Sequence, residues 1–587
     1  MVWVFEVSWE VCNKVGGIYT VVRSKVPQML EAYKENYVVV GPYFPKKATG
    51  EFVEEVPPVE FREAFERLRQ QGIVCRFGSW MIPSKPRTIL IDFSSFASQT
   101  NKIKNDLWNW FKVDSLGTQY FDFDEPVVWA TAVGMLMCEL GLAQTVVHCH
   151  EWLSAACLLH IKAKNAAIAT VFTTHATILG RTISSNREQL YETLGSFDPE
   201  QKARQLGIQA KFLLERAAAQ NADAFTTVSE ITALEAEKLL GRKPDVLVLN
   251  GLDISGFPTF EDSSIKHQLF KRKIKEFIIQ FFFPYYKFSL DETLLYFIAG
   301  RHELRDKGID IFIKSLGKLN QELIAKKSEK TVVVFLWVSG NVKGIRPEII
   351  ENMTYFKDIH DKLTDEFDMI RERLLYDIFS ETPADAKHLL GNSSFFDIQK
   401  KMLRFKRQGL PPVSTHELFD EGNDDILAAL REAKLFNSSG DRVKVIYYPV
   451  FLSGADRLID LGYYEGITGC HLGVFPSYYE PWGYTPLETA ALGVCSLTTD
   501  LAGFGRFIRQ FKKPDEPPGI YVLERLGKSD DEVISKLFEI LLTFALKPSA
   551  ERIHEKIEAK HLAALADWKI LAKNYFEAHK LALSKKF

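Results

Sequence analysis

Short apolar runs rich in β-branched residues alternate with longer stretches of three- and four-residue apolar periodicity over the first 255 positions. The runs are Val2 to Val7, Tyr37 to Val40, Thr88 to Ile91, Thr145 to His148, Ala169 to Thr173, Ala224 to Val228 and Val246 to Leu249. Strands buried on both faces and linked by helices are the signature of βαβ units, so this stretch predicts a parallel, doubly wound sheet. A second series predicts another: Thr293 to Ile298, Thr331 to Val338, Val443 to Tyr448, Leu472 to Phe475 and Val494 to Thr498. The expected fold class is α/β with two Rossmann-like domains, the first over 1–255 and the second over 256–345 with 436–547. Residues 346–435 exceed what a βαβ unit needs. Within them Ile349, Met353, Phe356, Ile359, Leu363, Phe367, Ile370, Leu374 and Ile378 recur every three or four positions among charged residues, which predicts one long amphipathic helix. Its apolar face either covers its own domain or meets another subunit. Residues 548–587 again read as helical and are expected to cross back to the first domain.

Composition narrows the partners. The 587 residues, 67.0 kDa, exceed the roughly 250–300 that one hydrophobic core organises. With 73 basic and 76 acidic residues the net charge is -3, which excludes a general attraction for nucleic acid. Seven cysteines at irregular spacing do not make a disulfide framework and point to a reducing, cytoplasmic home. The opening Met1-Val2-Trp3-Val4-Phe5-Glu6 reads as a first strand and not as a cleavable leader. No apolar run reaches the ~18 residues that span a bilayer, so no membrane partner is expected.

Candidate chemistry concentrates in Ser477-Tyr478-Tyr479-Glu480-Pro481-Trp482-Gly483-Tyr484-Thr485-Pro486-Leu487-Glu488. Thr485, Pro486 and Glu488 read as an N-cap, a proline at the first helical position and a capping-box Glu. Glu480 then lies in a strand-to-helix loop at the carboxyl edge of the sheet, with the N–H groups of Gly483, Tyr484 and Thr485 directed at an anion. A carboxylate flanked by Tyr479 and Trp482 needs a cation or a partner to offset its desolvation. Arg301 and Lys307 flank a short loop after Gly300 and could serve, although surface cations are mostly just solvated. Asn13-Lys14-Val15-Gly16-Gly17 follows the first strand and opens a helix, an arrangement that lets backbone N–H groups approach phosphate but that any tight turn also uses. The histidines show no zinc-like spacing, and Asp122-Phe123-Asp124 lies in a Trp-rich helical approach, so no metal and no cofactor is expected.

The phrase His471 to Glu488, with Glu480 and Glu488 eight positions apart, resembles the paired-Glu signature of retaining glycosyltransferases built from two facing Rossmann-like domains, the GT-B fold, and in particular the animal and fungal type of glycogen synthase. Phe5 to Thr20, Phe172 to Thr177, Ala299-Gly300-Arg301 and Gly409-Leu410-Pro411-Pro412 are similar to that family in the same order. The resemblance implies retaining transfer of glucose from UDP-glucose to the non-reducing 4-hydroxyl of an α-1,4-glucan. It implies that Arg301 and Lys307 neutralise the leaving diphosphate and that the loop with Lys14, Gly16 and Gly17 faces it. Arg216 would contact the donor, His175 the donor glucose, Glu480 the sugar-side charge and Glu488 the ribose. His150-Glu151-Trp152 is expected to line the same cleft. Phe451 and Tyr463 would sandwich the uracil, unless they are core packing. The helical insertion would make subunit contacts in a homo-oligomer such as a tetramer. No priming partner is identified.

Three other readings stay open: an ADP-glucose-using enzyme, a sucrose- or trehalose-forming enzyme of the same fold, and a non-catalytic glycan-binding scaffold. The chain also departs from its relatives. Ser-rich extensions like theirs are not expected here, Ala210 stands where they commonly have His, and Arg552, Lys556 and Lys560 stand where regulated members carry an arginine cluster for glucose 6-phosphate.

Overall fold

The computed structural model describes residues 2–587; Met1, read above as part of the opening strand, lies outside the described residues. The first series of runs forms one nine-stranded sheet: β1 (Trp3–Val7), β2 (Tyr37–Pro42), β3 (Phe52–Glu54), β4 (Val74–Trp80), β5 (Arg87–Asp92), β6 (Thr145–His150), β7 (Ile168–Thr174), β8 (Ala224–Thr227) and β9 (Val246–Leu247), in the order β3-β4-β5-β2-β1-β6-β7-β8-β9. From β5 to β9 every pairing is parallel, whereas β3 and β4 add an antiparallel edge. Phe52–Glu54 and Val74–Trp80 escaped the pattern reading because an edge hairpin is only half buried and carries charges such as Glu54 and Arg76 among its apolar positions. The central strands β2, β6 and β7 are buried throughout.

The second sheet has six strands, all parallel: β10 (Thr293–Gly300), β11 (Thr331–Val338), β14 (Val443–Tyr447), β15 (Leu472–Val474), β16 (Cys495–Thr499) and β17 (Ile520–Leu523), ordered β14-β11-β10-β15-β16-β17. Counted within this sheet the order is 3-2-1-4-5-6, the doubly wound arrangement with its topological switch between β10 and β15. In the first sheet the corresponding switch lies between β1 and β6. A small antiparallel pair, β12 (Val342–Ile345) and β13 (His416–Leu418), closes the neck of the insertion.

The insertion itself corrects the expectation of a single long helix. Helices Pro347–Asp365 and Phe367–Phe379 are separate, broken at Glu366, whose backbone leaves the helical region at φ −97° and ψ 4°. Glu366 is drawn out of line by Lys362 Nζ at 2.8 Å and by the hydroxyl of Ser394 on the facing helix Asn392–Phe405. The apolar periodicity runs through the break, but only its first position, Ile349 near the neck, is buried. Beyond it the stripe is bare: Phe367, Ile378 and Phe379 are 59%, 62% and 85% exposed.

Two chain crossings join the domains and are bonded to each other. The Leu252 N–H donates to the Ala566 carbonyl at 2.9 Å and the Trp568 N–H to the Leu252 carbonyl at 3.1 Å. Helix Ser549–Ala564 packs on the second domain, and Trp568–Lys586 then lies across β6, β7 and β8 and along helix Gly17–Tyr33 of the first. Among the described residues no helix is long and apolar enough to cross a membrane, and all seven cysteines are free thiols.

Candidate functional site

The switch point of the second sheet brings the charged candidates together. After Gly300 the loop 301–308 folds on itself, with the Lys307 N–H on the Glu303 carbonyl and the Gly308 N–H on the Arg305 carbonyl, both at 2.9 Å. The Asp306 carbonyl accepts the N–H groups of Tyr478 at 2.9 Å and Tyr479 at 3.2 Å, which stitches this loop to the one leaving β15. As a result Lys307 Nζ stands 2.5 Å from Glu480 Oε2, each side chain only about a fifth exposed at 19% and 23%. A half-buried carboxylate is retained because the ammonium beside it offsets the lost hydration. Gly300, Arg301, Lys307, Glu480 and Thr485 line one cavity of about 210 Å³. Arg301 is 70% exposed and lies 3.1 Å from Glu303, free to swing toward a ligand.

The helix that follows begins earlier than its sequence suggests. It runs Tyr484–Ala491 with Gly483 as N-cap at φ 108°, so Thr485 is not the cap and Pro486 sits inside the first turn. Glycine tolerates that left-handed cap, and a proline in the first turn forfeits only an N–H that has no intrahelical partner. Glu488 therefore closes no capping box. Its carboxylate instead accepts the Tyr464 hydroxyl at 2.8 Å, and burial, opposed by the Tyr464 and Tyr463 hydroxyls, pushes it up to about 7. Phe451, 77% exposed, starts a loop that closes through the Gly454 N–H on the Leu461 carbonyl at 3.2 Å, directly before helix Tyr463–Gly469. The Tyr484 hydroxyl reaches the Gly251 carbonyl at 3.2 Å and so ties the site to the interdomain crossing. Trp482 contributes its backbone to the bend but not its side chain, which is 3% exposed and packs on Phe504 and Phe507 with ring centroids 6.0 and 5.9 Å away. The indole is too apolar to stay in a wet cleft when a core lies behind it.

The first domain supplies the facing wall. His175 follows β7 and is 7% exposed; its N–H and that of Ala176 both donate to Glu151 Oε1, at 2.8 and 3.1 Å. Arg181, one helical turn into Ile178–Ser185, lies in the field of Glu151 and Glu215 from its own domain and of Tyr479 and Glu303 from the other. It is a further cation on this wall that the sequence reading did not single out. The phrase Ala176-Thr177-Ile178-Leu179-Gly180-Arg181 continues the His175 segment, and a cation seven residues past the strand end at Thr174, on the first turn of a helix, was the available signal. Arg216 was expected here and is not here. It pairs with Glu200 at 2.7 Å and covers Phe212, because its neighbour Glu215 takes the inward position, fully buried on the Thr174 hydroxyl at 2.5 Å and the Ile178 N–H at 2.9 Å.

The glycine loop also differs from the expectation of a vacant helix end. Glu10 Oε2 accepts the N–H groups of Gly16 at 2.7 Å and Tyr19 at 2.9 Å, so an internal carboxylate already caps helix Gly17–Tyr33. Lys14, Gly16 and Gly17 are exposed at the carboxyl edge of β1, with Lys14 Nζ 5.7 Å from the Tyr19 ring.

The domains are closed on one another. Ser184 Oγ donates to Asp306 at 2.5 Å, the Tyr478 hydroxyl to Glu192 at 2.7 Å and the Tyr479 hydroxyl to Glu235 at 3.2 Å. Away from this cleft, Arg552 and Lys556 line a basic cavity of about 530 Å³ with His267, Lys271 and His471, whereas Lys560 is turned aside onto the Pro258 and Ala491 carbonyls.

Comparison with known proteins gives a consistent assignment. A family model described as glycogen synthase matches residues 6–587. Glycogen [starch] synthase isoform 1 of Saccharomyces cerevisiae is 37% identical, over 99% of this chain and 86% of the yeast protein. The liver glycogen [starch] synthase of Mus musculus is 36% identical, over 99% of this chain and 83% of the mouse protein. Among solved structures, the catalytic domain of starch synthase IV from Arabidopsis thaliana, bound to ADP and acarbose, superposes with a TM-score of 0.51 at 13% identity, covering 99% of both chains, a likeness of fold alone. Two Rossmann-like sheets facing a cleft, in the GT-B arrangement, are thus matched from end to end by a single family, and the chain belongs to the glycogen synthases.

Proposed function

We propose that the protein transfers glucose from UDP-glucose to the non-reducing 4-hydroxyl of an α-1,4-glucan with retention at the anomeric carbon. The observation that carries this reading is the 2.5 Å Lys307–Glu480 contact at the switch point, with Arg301 on the same cavity. A diphosphate bound between Arg301 and Lys307 would have its developing negative charge met by two cations, and the positive charge growing on the sugar would face Glu480. The bond from the anomeric carbon to the diphosphate breaks, the acceptor oxygen bonds to that carbon on the same face, and the acceptor proton passes to the departing diphosphate oxygen. Arg181 and His175 hold the donor from the opposite wall. The test is incorporation of labelled glucose into glycogen from UDP-glucose and, separately, ADP-glucose, with fructose and glucose 6-phosphate as rival acceptors. Label that reaches only a small sugar acceptor overturns the glucan assignment. The same assay with added glucose 6-phosphate reads whether the Arg552–Lys556 cavity controls the enzyme.

Glu488 gives the reading a pH signature. A ribose diol donates hydrogen bonds, so the ionised carboxylate holds it better than the neutral acid. Since the Glu488 carboxyl is pushed up to about 7, kcat/KM for the nucleotide sugar should rise as pH climbs through that value and then level off. Glu488→Gln should remove the step and lower kcat/KM about tenfold, the worth of one hydrogen bond to a charged group. A profile identical in wild type and variant would remove Glu488 from the donor site.

The bare stripe on the insertion supports a role in assembly into a homo-oligomer. Replacing Ile378 and Phe379 with Asp should shift the particle mass in light scattering to that of the monomer. An unchanged mass would leave the stripe without that role. Seven free thiols support a cytoplasmic setting.

A further inference from the structure

A line of buried polar groups crosses the switch point of the first sheet, from β1 through β6 to the end of β7. Glu6, 1% exposed, accepts Lys25 Nζ at 2.5 Å and His150 Nε2 at 2.8 Å on one oxygen and the Tyr37 hydroxyl on the other. His150 Nδ1 then lies 2.9 Å from His175 Nε2. Burial pushes the Glu6 carboxyl upward, but the Lys25 ammonium and the donated hydrogen bonds outweigh it and hold the group well below the usual range. Burial keeps both His150 and His175 neutral.

The proton positions along the line follow by elimination. An ionised carboxylate only accepts, so His150 must donate from Nε2. A neutral imidazole carries one N–H, so His150 Nδ1 is a lone pair. His175 Nε2 must therefore donate to it, which leaves His175 Nδ1 unprotonated, and among the described residues no group bonds to that nitrogen. We propose that Glu6, Lys25 and His150 are positioning residues that lock His175 in the Nε2–H tautomer, so that its Nδ1 accepts a hydrogen bond from a hydroxyl of the transferred sugar. The inference rests on His175 being the sugar contact of the proposed reaction.

The surroundings hold the lock rather than compete with it. Helix Gly17–Tyr33 contributes Lys25, whose ammonium also lies 3.6 Å over the Tyr575 ring of the last helix, and at its end Tyr33, which reaches only His579. His148 stacks on His150 with centroids 4.4 Å apart, but its own nitrogens are committed to His579 at 3.1 Å and Thr173 at 2.6 Å. His579, in turn, is bonded to Tyr33 at 2.9 Å. From the cleft side, Glu151 engages the His175 backbone and Arg181 stands near the ring as a fixed cation, which cannot itself change the tautomer.

The deciding experiment is nitrogen-15 NMR of histidine-labelled, ligand-free wild-type protein near neutral pH, with the His175 signals assigned from their loss in His175→Ala. The expected result is protonated Nε2 and bare Nδ1; a protonated Nδ1 overturns the proposal without any activity measurement. Kinetics give a second reading. In Glu6→Gln the amide can donate to His150 and reverse the line, so kcat/KM for the donor should fall about 10- to 50-fold, the loss of one buried hydrogen bond. Because Glu6 acts through His175, Glu6→Gln combined with His175→Ala should be no slower than His175→Ala alone by more than about twofold. Fully additive losses would sink the proposal. Normal kcat/KM in His175→Ala would instead sink the reading of His175 as a sugar contact, while the wild-type spectrum still decides the tautomer.

Discussion

Lys307→Ala should lower kcat by roughly 10²- to 10³-fold, the effect of deleting one preorganised charge stabiliser, with little change in KM for the glucan. Two losses combine in this variant. The departing diphosphate would keep only Arg301, an exposed and less fixed cation, and Glu480 would be left half-buried without its ammonium. Without that contact nothing would hold the Glu480 carboxylate in place against the positive charge on the sugar. Lys307→Arg is not a conservative rescue, because a planar guanidinium on a longer stem does not reproduce the single-point contact that the Lys307 ammonium makes with Glu480 at 2.5 Å. Steady-state kinetics with a thermal melt on the same sample test the expectation. A kcat within a few-fold of wild type, in a folded variant, would remove Lys307 from the reaction.

How far the sequence carried this picture depends on which physical signal each feature leaves. The parallel strands were legible because burial on both faces writes an uninterrupted apolar run, as in Tyr37 to Val40 and Thr331 to Val338, and the loops after such strands then locate Arg301, Lys307 and Glu480. The edge strands Phe52–Glu54 and Val74–Trp80 write no such run. The start of helix Tyr484–Ala491 was misplaced because Thr-Pro-x-Glu satisfies the capping rules as letters, whereas Gly483 can adopt a left-handed cap that the rules rank lower. Arg216 and Trp482 mark a different limit. Which of Glu215 and Arg216 points inward depends on the rotation of helix Gln209–Asn221 against β7, and that is fixed by Thr174 and Ile178, some forty residues away. The tautomer line is of the same kind, since Glu6, Lys25, His150 and His175 are adjacent only after the sheet has formed.

Gly308→Ala should be the most damaging methyl group that can be added near the site. Gly308 holds φ at 68°, and a Cβ there would meet the Pro476 carbonyl oxygen at 2.0 Å and its carbon at 2.6 Å, both backbone atoms that cannot rotate away. The left-handed conformation alone costs an L-residue about 1–2 kcal/mol. Separation of the two loops adds to that, so a total destabilisation of about 2–4 kcal/mol is expected, within the range of severe single substitutions. Calorimetry should show Tm lowered by roughly 5–10 °C. Activity should fall further than stability requires, because the shift pulls on the Asp306 carbonyl that receives the Tyr478 and Tyr479 N–H groups, and a displacement of about 1 Å between Lys307 and Glu480 is worth about 10²-fold in rate. Gly527→Ala separates strain from collision: its φ is 70° but nothing lies within 4 Å, so only the backbone term applies and the loss should stay near 1–2 kcal/mol. Gly308→Asn makes the same distinction from the other side, since asparagine tolerates the left-handed region yet brings the same Cβ. If Gly308→Asn restored wild-type stability and rate, the close approach of Pro476 would not be what holds the two loops in register.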